Sequence, residues 1–146
     1  MILLLGSNGY IGKEFHKQLF RRGIPTRTCN VPSKNLMSGD LESIQRDTKL
    51  TAVINCAGYT GKPNVDACET DKHNTIYGNV VLPQIIAEFC TRHNIVFGHV
   101  SSGCIYSGRR FDGNAFTETD RPNFSFEHNN CSFYSGTKAM AEDIIQ

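Results

Sequence analysis

No segment of the sequence is long and apolar enough to span a membrane, and no run of lysines and arginines is present. The N-terminal MILLL is too short for a signal peptide, lacks a charged start and leads directly into glycine-rich sequence. Fifteen basic residues oppose 14 acidic ones, a formal net charge of +1, which argues against nucleic acid or a membrane surface as a partner held by bulk electrostatics. We therefore expect a globular, cytoplasmic protein.

The six cysteines include no CxxC pair and accompany no histidine cluster at zinc-binding spacing. The sequence thus predicts neither a disulfide framework nor a metal site. Reduced and mostly buried thiols are the simplest interpretation. Cys104 is the exception, because it lies in HVSSGCIYSG, where an apolar stretch opens into small polar residues. In α/β enzymes such strand ends carry the chemistry.

Short apolar runs alternate with stretches whose apolar residues recur at helical spacing. The runs predict four strands, in ILLL, IPTRTC, TAVINCAG and IVFGHV. Helices are predicted in YIGKEFHKQLFRRG, DLESIQRDTK, TIYGNVVLPQIIAEFCTRHN and SFYSGTKAMAEDIIQ, and a long loop is predicted from Gly103 to Cys131. This order is typical of an α/β protein with a Rossmann-type, doubly wound parallel sheet and right-handed crossovers.

The segment GSNGYIG places three glycines between the first predicted strand and the first predicted helix. In dinucleotide-binding folds the first permits a tight turn, the second lets a pyrophosphate approach the backbone, and the third lets helix and strand pack closely. The helix N-terminus then offers free N–H groups to phosphate. An ordinary tight turn is the alternative. The candidate cofactor contacts are Gly6, Asn8, Gly9, Tyr10, Ile11 and Gly12.

The end of the second predicted strand carries Arg27 and no acidic residue. NAD-binding folds place Asp or Glu there to hold the ribose 2′-hydroxyl, whereas an arginine suits the 2′-phosphate of NADP. We therefore expect NADPH as the cofactor, with an ordinary surface arginine as the alternative. Asp40 and Leu41, in the following GDL segment, are further candidate contacts, and Asp40 is alternatively the N-cap of the next helix.

Tyr134 and Lys138 are four residues apart in YSGTK and so share one face of the last predicted helix. A neighbouring ammonium favours tyrosinate and lowers the phenol pKa, which helps the phenol to act as an acid near neutral pH. A nearby serine hydroxyl would orient the substrate oxygen. The spacing occurs by chance in many helices, and it gains weight from the preceding glycine loop and serine-rich strand end.

Together the glycine loop, NCAG after the third strand, VSSGCIY after the fourth and YSGTK resemble the extended short-chain dehydrogenase/reductase family over nearly the whole chain. The resemblance implies that Ser102, Tyr134 and Lys138 are the catalytic Ser/Thr, Tyr and Lys of that family. It also implies that Asn79 supports the lysine through a water molecule. The residues that it places along the cofactor are Cys56, Ala57, Gly58 and Tyr59, with Lys138 at the nicotinamide ribose.

A narrower resemblance lies in AGYTGKPNVDACE, SSGCIY and PNFSFEHNNCSFYSGTKAMAEDII, which are similar to nucleotide-rhamnose synthase/epimerase-reductases. Bacterial dTDP-4-dehydrorhamnose reductases are more distant relatives. The resemblance implies NADPH-dependent epimerisation and reduction of a nucleotide 4-keto-6-deoxy-hexose. In these enzymes, and in the related GDP-fucose synthases, a cysteine at this place serves in epimerisation. Cys104 is therefore the implied acid/base, and a buried thiol or an incidental pocket residue is the alternative.

Four strands are about half of a doubly wound sheet, and the sequence ends within a helical pattern. We interpret residues 1–146 as the N-terminal, NAD(P)-binding part of a longer protein, without the C-terminal lobe that completes the nucleotide-sugar pocket in the family. A homodimer through the helices that carry Asn79 and Tyr134 is a further expectation. A GDP-fucose synthase-like enzyme and a non-catalytic dinucleotide-binding module are the alternative functions.

Overall fold

The computed structural model describes residues 1–29 and 38–145. Its centre is a parallel sheet in the order β2-β1-β3-β4, formed by β1 (Ile2–Leu5), β2 (Thr26–Cys29), β3 (Ala52–Asn55) and β4 (Val96–His99). The helices are α1 (Tyr10–Arg21), α2 (Ser38–Thr48), α3 (Lys72–Ile76), α4 (Leu82–Arg92) and α5 (Phe133–Ile145). The predicted α/β fold with a Rossmann-like parallel sheet is confirmed.

The four strands end in one row. Leu5 pairs with Cys29 on one side and with Asn55 on the other, and Asn55 pairs in turn with His99. Each of these residues is the last of its strand. The segments that leave the sheet therefore start from the same edge, which is where ligands bind in open α/β sheets.

The main core fills the space between the sheet and helices α2 and α4. Leu3, Leu5 and Val53, which are completely buried, face this side of the sheet. They meet apolar residues that recur at helical spacing on the two helices: Leu41, Ile44, Leu82, Ile86, Phe89 and Cys90. Burying each large apolar side chain stabilises the fold by roughly 1.5–3 kcal/mol. Helix α1 packs on β1 and β2.

The long helix predicted around Asn79 is not one regular α-helix. Between α3 and α4 a π-helical turn spans Tyr77–Val81, and Leu82 separates it from Pro83. Proline has no N–H to donate, and in a regular helix its ring would crowd the carbonyl of residue i−4, here Asn79. The wider turn relieves this conflict, and such turns often mark functional sites.

The residues between β4 and α5 form the predicted long loop, apart from two short 3₁₀ turns at Gly103–Ile105 and Phe126–His128. The Asn123 side chain closes the loop, because its Oδ1 accepts from the Ser107 N–H at 2.8 Å and its Nδ2 donates to the Ser107 carbonyl at 2.9 Å. Within the two described ranges, no helix has the length and apolarity to cross a membrane.

Gly12→Ala tests the close packing of α1. A Cβ at this position would lie 2.1 Å from the Gly6 carbonyl oxygen, a backbone atom that cannot move away easily. We expect a loss of roughly 1–3 kcal/mol in the free energy of unfolding, measured by urea denaturation. The matched control is Gly39→Ala in α2, where the Cβ would meet nothing within 4 Å. Equal stability of the two variants would contradict the packing argument.

Candidate functional site

The glycine loop and the segment after β3 touch each other through their backbones. Gly6 has a φ of +73°, and a Cβ there would lie 2.7 Å from the Ala57 nitrogen. Gly9 precedes α1 without a side-chain cap, and its N–H donates to the Gly6 carbonyl at 3.0 Å. An uncapped first turn beside a loop without side-chain bulk suits the pyrophosphate of a dinucleotide.

The other predicted loop contacts differ in exposure. Asn8, Tyr10 and Ile11 are exposed, Tyr10 almost completely at 95%. Tyr10 and Ile11 also line an apolar cavity of about 1060 Å³ that runs along α1 to Ile54. The cavity is lined by neither Tyr134 nor Lys138, so it is distinct from the edge at which these two residues lie.

Arg27 is exposed and lies opposite Leu3, two residues before the end of β2. Its charge nevertheless acts on Cys29, the last residue of the strand. Burial raises the pKa of the Cys29 thiol, the charge of Arg27 lowers it, and the charge of Asp40 raises it. Arg27 and Asp40 therefore both act on the same end of β2. The residues that follow Cys29, up to position 37, lie outside the described ranges.

Asp40 and Leu41 belong to the first two turns of α2. The helix begins at Ser38, so Asp40 lies within its first turn and is not the residue that precedes it. Leu41 is fully buried in the core. A contact from Leu41 to a cofactor would therefore have to come from its backbone.

The segment after β3 is held by two asparagine side chains. The Ala57 N–H donates to Asn55 Oδ1 at 3.0 Å, and the Tyr59 N–H donates to Asn79 Oδ1 at 2.8 Å. Asn79 Nδ2 returns a bond of 2.9 Å to the Tyr59 carbonyl. Gly58, between them, is exposed, and burial raises the pKa of the Cys56 thiol. This part of the predicted cofactor lining is thus fixed before any ligand binds.

Asn79 is fully buried, and its side chain is directed at Tyr59 and Thr137. Besides the two bonds to Tyr59, its Nδ2 lies 3.3 Å from Thr137 Oγ1. Thr137 directly precedes Lys138 in α5. The structure therefore places Asn79 next to the lysine-bearing turn, where it ties α5 to the segment after β3. The predicted water-mediated support of Lys138 stays a prediction.

Ser102, Cys104 and Tyr134 come together at the end of β4. Ser102 precedes the Gly103–Ile105 turn, and its Oγ accepts from the Cys104 N–H at 3.3 Å. Burial raises the pKa of the half-buried Tyr134, a hydrogen bond with Ser102 lowers it, and the charge of Cys104 raises it. Cys104 is exposed, so its thiol is accessible beside the phenol.

The net direction of the Tyr134 pKa differs from the sequence-based expectation. We expected the Lys138 ammonium to lower it, whereas removal of the phenol from water raises it and is the main cause of the shift. In this structure the Lys138 amine is directed elsewhere: its Nζ donates to the Val100 carbonyl at 3.0 Å and lies 3.3 Å from His99 Nε2. Tyr134 is thus held as a neutral phenol, the form that can donate a proton.

Lys138 is only 4% exposed. Burial lowers the pKa of its amine to about 8, and the charge of Glu142 partly counteracts this. The same environment lowers the pKa of His99 to about 4, through burial first and the Lys138 charge second. His99 is therefore a neutral imidazole near neutral pH.

Sequence reasoning missed His99 and Asn55, although both lie in motifs that it selected. Asn55 begins NCAG and His99 begins HVSSGCIYSG, so each is the last strand residue before a predicted site segment. The available signal was their position at the ends of neighbouring parallel strands. Neither residue type by itself distinguishes a site residue from a buried polar residue.

Helix α5 is fixed at its start, which positions Tyr134 and Lys138. The Phe133 N–H donates to Glu69 Oε1 at 2.7 Å, and the Ser135 N–H donates to Ser132 Oγ at 3.1 Å. Both bonds satisfy N–H groups that a helix leaves unpaired in its first turn.

The family model of the RmlD substrate binding domain matches residues 1–146. The bifunctional dTDP-4-dehydrorhamnose 3,5-epimerase/dTDP-4-dehydrorhamnose reductase of Arabidopsis thaliana is 35% identical over 150 residues, covering 99% of this chain and 47% of that protein. The crystal structure of the UDP-rhamnose synthase of Acanthamoeba polyphaga mimivirus has a TM-score of 0.82 and 25% identity, covering 97% of this chain and 50% of that one.

A dTDP-4-dehydrorhamnose reductase from Bacillus anthracis, solved in complex with NADP, shares the fold with a TM-score of 0.73 at 16% identity; the match covers 99% of this chain and 48% of that one. The chain spans 21 to 47% of the length of the Arabidopsis relatives that it matches, and about half of the two solved structures.

Lys138→Met tests the environment of the buried amine. The pKa is about 8 in the folded chain against 10.5 in the unfolded one, so the unfolded chain binds more protons between these values. The stability contributed by this group therefore rises with pH through that interval, by roughly 3 kcal/mol in total.

Urea unfolding of both proteins from pH 7 to 10.5 measures the effect. We expect the stability of the unsubstituted chain, relative to Lys138→Met, to rise by about 2–3 kcal/mol across this interval. The matched control is Lys13→Met, at an exposed position of α1. A pH-independent difference between Lys138→Met and the unsubstituted chain would contradict the burial argument.

Proposed function

We propose, since the chain belongs to the RmlD substrate binding domain family, that it is the cofactor-binding part of an NADPH-dependent 3,5-epimerase/4-reductase acting on a nucleotide 4-keto-6-deoxy-hexose. The sequence-based resemblance to rhamnose synthases and dTDP-4-dehydrorhamnose reductases is confirmed. The observation that carries the finer proposal is the hydrogen bond between Ser102 and Tyr134, with Lys138 held at the nearby Val100 carbonyl, at the edge of the sheet that also holds the glycine loop.

The cofactor fits the residues at this edge. Gly6 and Gly12 have no room for a Cβ, whereas a Cβ at Gly9 would have only the Gly6 carbonyl, at 3.4 Å, within contact distance. The loop is therefore tightly packed against backbone at its first and third glycines and open at its middle glycine, where a pyrophosphate approaches the backbone. Arg27 supplies the cation for a 2′-phosphate, because its charge already reaches the end of β2.

Reduction of a 4-keto sugar needs a hydride at C4 and a proton at the C4 oxygen. When bound, the reduced nicotinamide supplies the hydride. Tyr134 donates the proton, since burial keeps its phenol neutral, and Ser102 holds the keto oxygen by a hydrogen bond. Lys138 binds the ribose next to the nicotinamide. The oxygen stays bonded to C4 and becomes the C4 hydroxyl, and Tyr134 is left as tyrosinate until it regains a proton from water.

Epimerisation uses the acidity that the C4 ketone gives to the protons on C3 and C5. One group removes such a proton, and another returns a proton to the opposite face of the carbon. We assign Cys104 to one of these two roles, because its exposed thiol lies beside Tyr134 at the same edge. No residue among the 146 is assigned to the other.

Two other functions would use the same fold. A GDP-fucose synthase-like enzyme would share Cys104 and the Tyr134/Lys138 pair and would differ in its nucleotide sugar. A non-catalytic module would bind the dinucleotide without chemistry. Because Ser102 is hydrogen-bonded to Tyr134, and Lys138, one turn further along α5, is held at the Val100 carbonyl, a catalytic role is the better supported.

Cofactor choice is tested by calorimetric titration of the chain with NADPH and with NADH. We expect NADPH to bind more tightly, and Arg27→Gln to weaken NADPH binding roughly 10- to 100-fold without weakening NADH, because one charge-assisted contact to the 2′-phosphate is lost. The control is Arg21→Gln, an exposed arginine in the last turn of α1, near the opposite edge of the sheet. Equal effects on both cofactors would contradict the role of Arg27.

Tyr134→Phe tests the chemistry in the protein that carries this chain. With a nucleotide 4-keto-6-deoxyglucose and NADPH, we expect reduction to fall roughly 10²- to 10⁴-fold while NADPH binding is retained. The control is Tyr106→Phe, whose hydroxyl donates to the Asp120 carbonyl and holds the loop. Sugar analysis identifies the product. Absence of a rhamnose product from the unsubstituted protein would refute the substrate assignment.

A further inference from the structure

A row of hydrogen-bonding groups crosses the edge of the sheet from β3 to α5. It begins at the Ala57 N–H, which donates to Asn55 Oδ1 at 3.0 Å. Asn55 Nδ2 lies 3.1 Å from His99 Nδ1, and His99 Nε2 lies 3.3 Å from Lys138 Nζ. The row exists because Asn55 and His99 are paired residues at the ends of adjacent strands.

The first contact of the row fixes the direction of the others. Since Asn55 Oδ1 accepts from the Ala57 N–H, the amide nitrogen faces the imidazole and donates to Nδ1. A neutral imidazole has one donor and one acceptor nitrogen. His99 must therefore carry its proton on Nε2, the nitrogen that faces Lys138. An amine can accept this proton in a hydrogen bond, whereas an ammonium cannot.

We propose that Asn55 and His99 form a positioning pair for Lys138: Asn55 fixes the tautomer of His99, and His99 presents its Nε2 proton to the amine. In this arrangement His99 gives the ammonium no acceptor, and the Val100 carbonyl is the acceptor that holds it. The pair favours the neutral amine. This inference rests on the proposed function for its catalytic meaning, because Lys138 belongs to the proposed catalytic set, but its test needs neither cofactor nor turnover.

The charges around Lys138 are compatible with an influence of His99 on the protonation of its amine. Glu142, one turn further along α5, raises the pKa of the amine, and burial lowers it more strongly. Charged side chains also lie on the other elements packed against α5, and none of these is a resolved cause of the Lys138 shift: Asp66, Glu69, Lys72, His73, Glu88, Arg92, Glu127 and His128. His99 is thus the titratable side chain from another element that faces the amine at hydrogen-bond range.

The tautomer of His99 is read directly by NMR of the chain labelled with ¹⁵N-histidine. In long-range ¹H–¹⁵N spectra a protonated ring nitrogen resonates far from an unprotonated one, and His99→Asn identifies the His99 signals by their loss. At pH 7 we expect a neutral ring with the proton on Nε2. A proton on Nδ1, or a charged ring, would overturn the proposal without any substitution of Asn55.

Asn55→Asp replaces the amide N–H that donates to His99 Nδ1 by a carboxylate oxygen. A carboxylate can still accept from the Ala57 N–H, but towards His99 it is an acceptor only. We expect the ring proton to move to Nδ1, so that Nε2 accepts from Lys138. The proton affinity of the Lys138 amine, measured from its titration midpoint in ¹³Cε shifts, should then rise tenfold or more. An unchanged tautomer in a folded Asn55→Asp protein would overturn the proposal.

Glu142→Gln is the matched control, because it changes the charge near Lys138 without touching the ring. It should lower the midpoint of Lys138 and leave the His99 tautomer unchanged. A tautomer that follows the charge at position 142 would mean that electrostatics, not the Asn55 bond, sets the ring proton. Failure of the chain to bind NADPH would weaken the proposed function and leave this result standing.

Discussion

The parallel register that ends all four strands in one row is the constraint on which the site depends. Asn55 pairs with both Leu5 and His99, so the glycine loop, the segment after β3 and the segment after β4 begin side by side. A shift of one residue in either pairing would turn the affected side chains to the other face of the sheet. The register therefore places Asn55 beside His99 at the ends of their strands, and His99 in turn contacts Lys138.

Close contacts fix the segments that leave the ends of β1 and β3. Gly6 approaches the Ala57 backbone closely enough to exclude any side chain, and Asn79 clamps both polar groups of the Tyr59 backbone. Asn79 can do so because a π-helical turn ahead of Pro83 carries it. The proposed cofactor edge is thus held from both sides by contacts within the protein, which is the support a preorganised site needs.

The sequence was sufficient for the four strands and for helices α1, α2, α4 and α5, because apolar periodicity carries that information. It was insufficient where the outcome depends on neighbours distant in sequence. The π turn, the orientation of Asn79 towards Tyr59 and the rise in the Tyr134 pKa all follow from packing. His99 gave no signal of its own, since its role depends on strand pairing.

We propose that these 146 residues form a dinucleotide site at the carboxyl edge of the sheet. The most direct measurement is the set of backbone amide shifts that change when NADPH is added to the ¹⁵N-labelled chain. We expect large changes at Gly6, Gly9, Ala57 and Tyr59 and near Lys138. Changes confined to the apolar cavity along α1, or none at saturating NADPH, would contradict it.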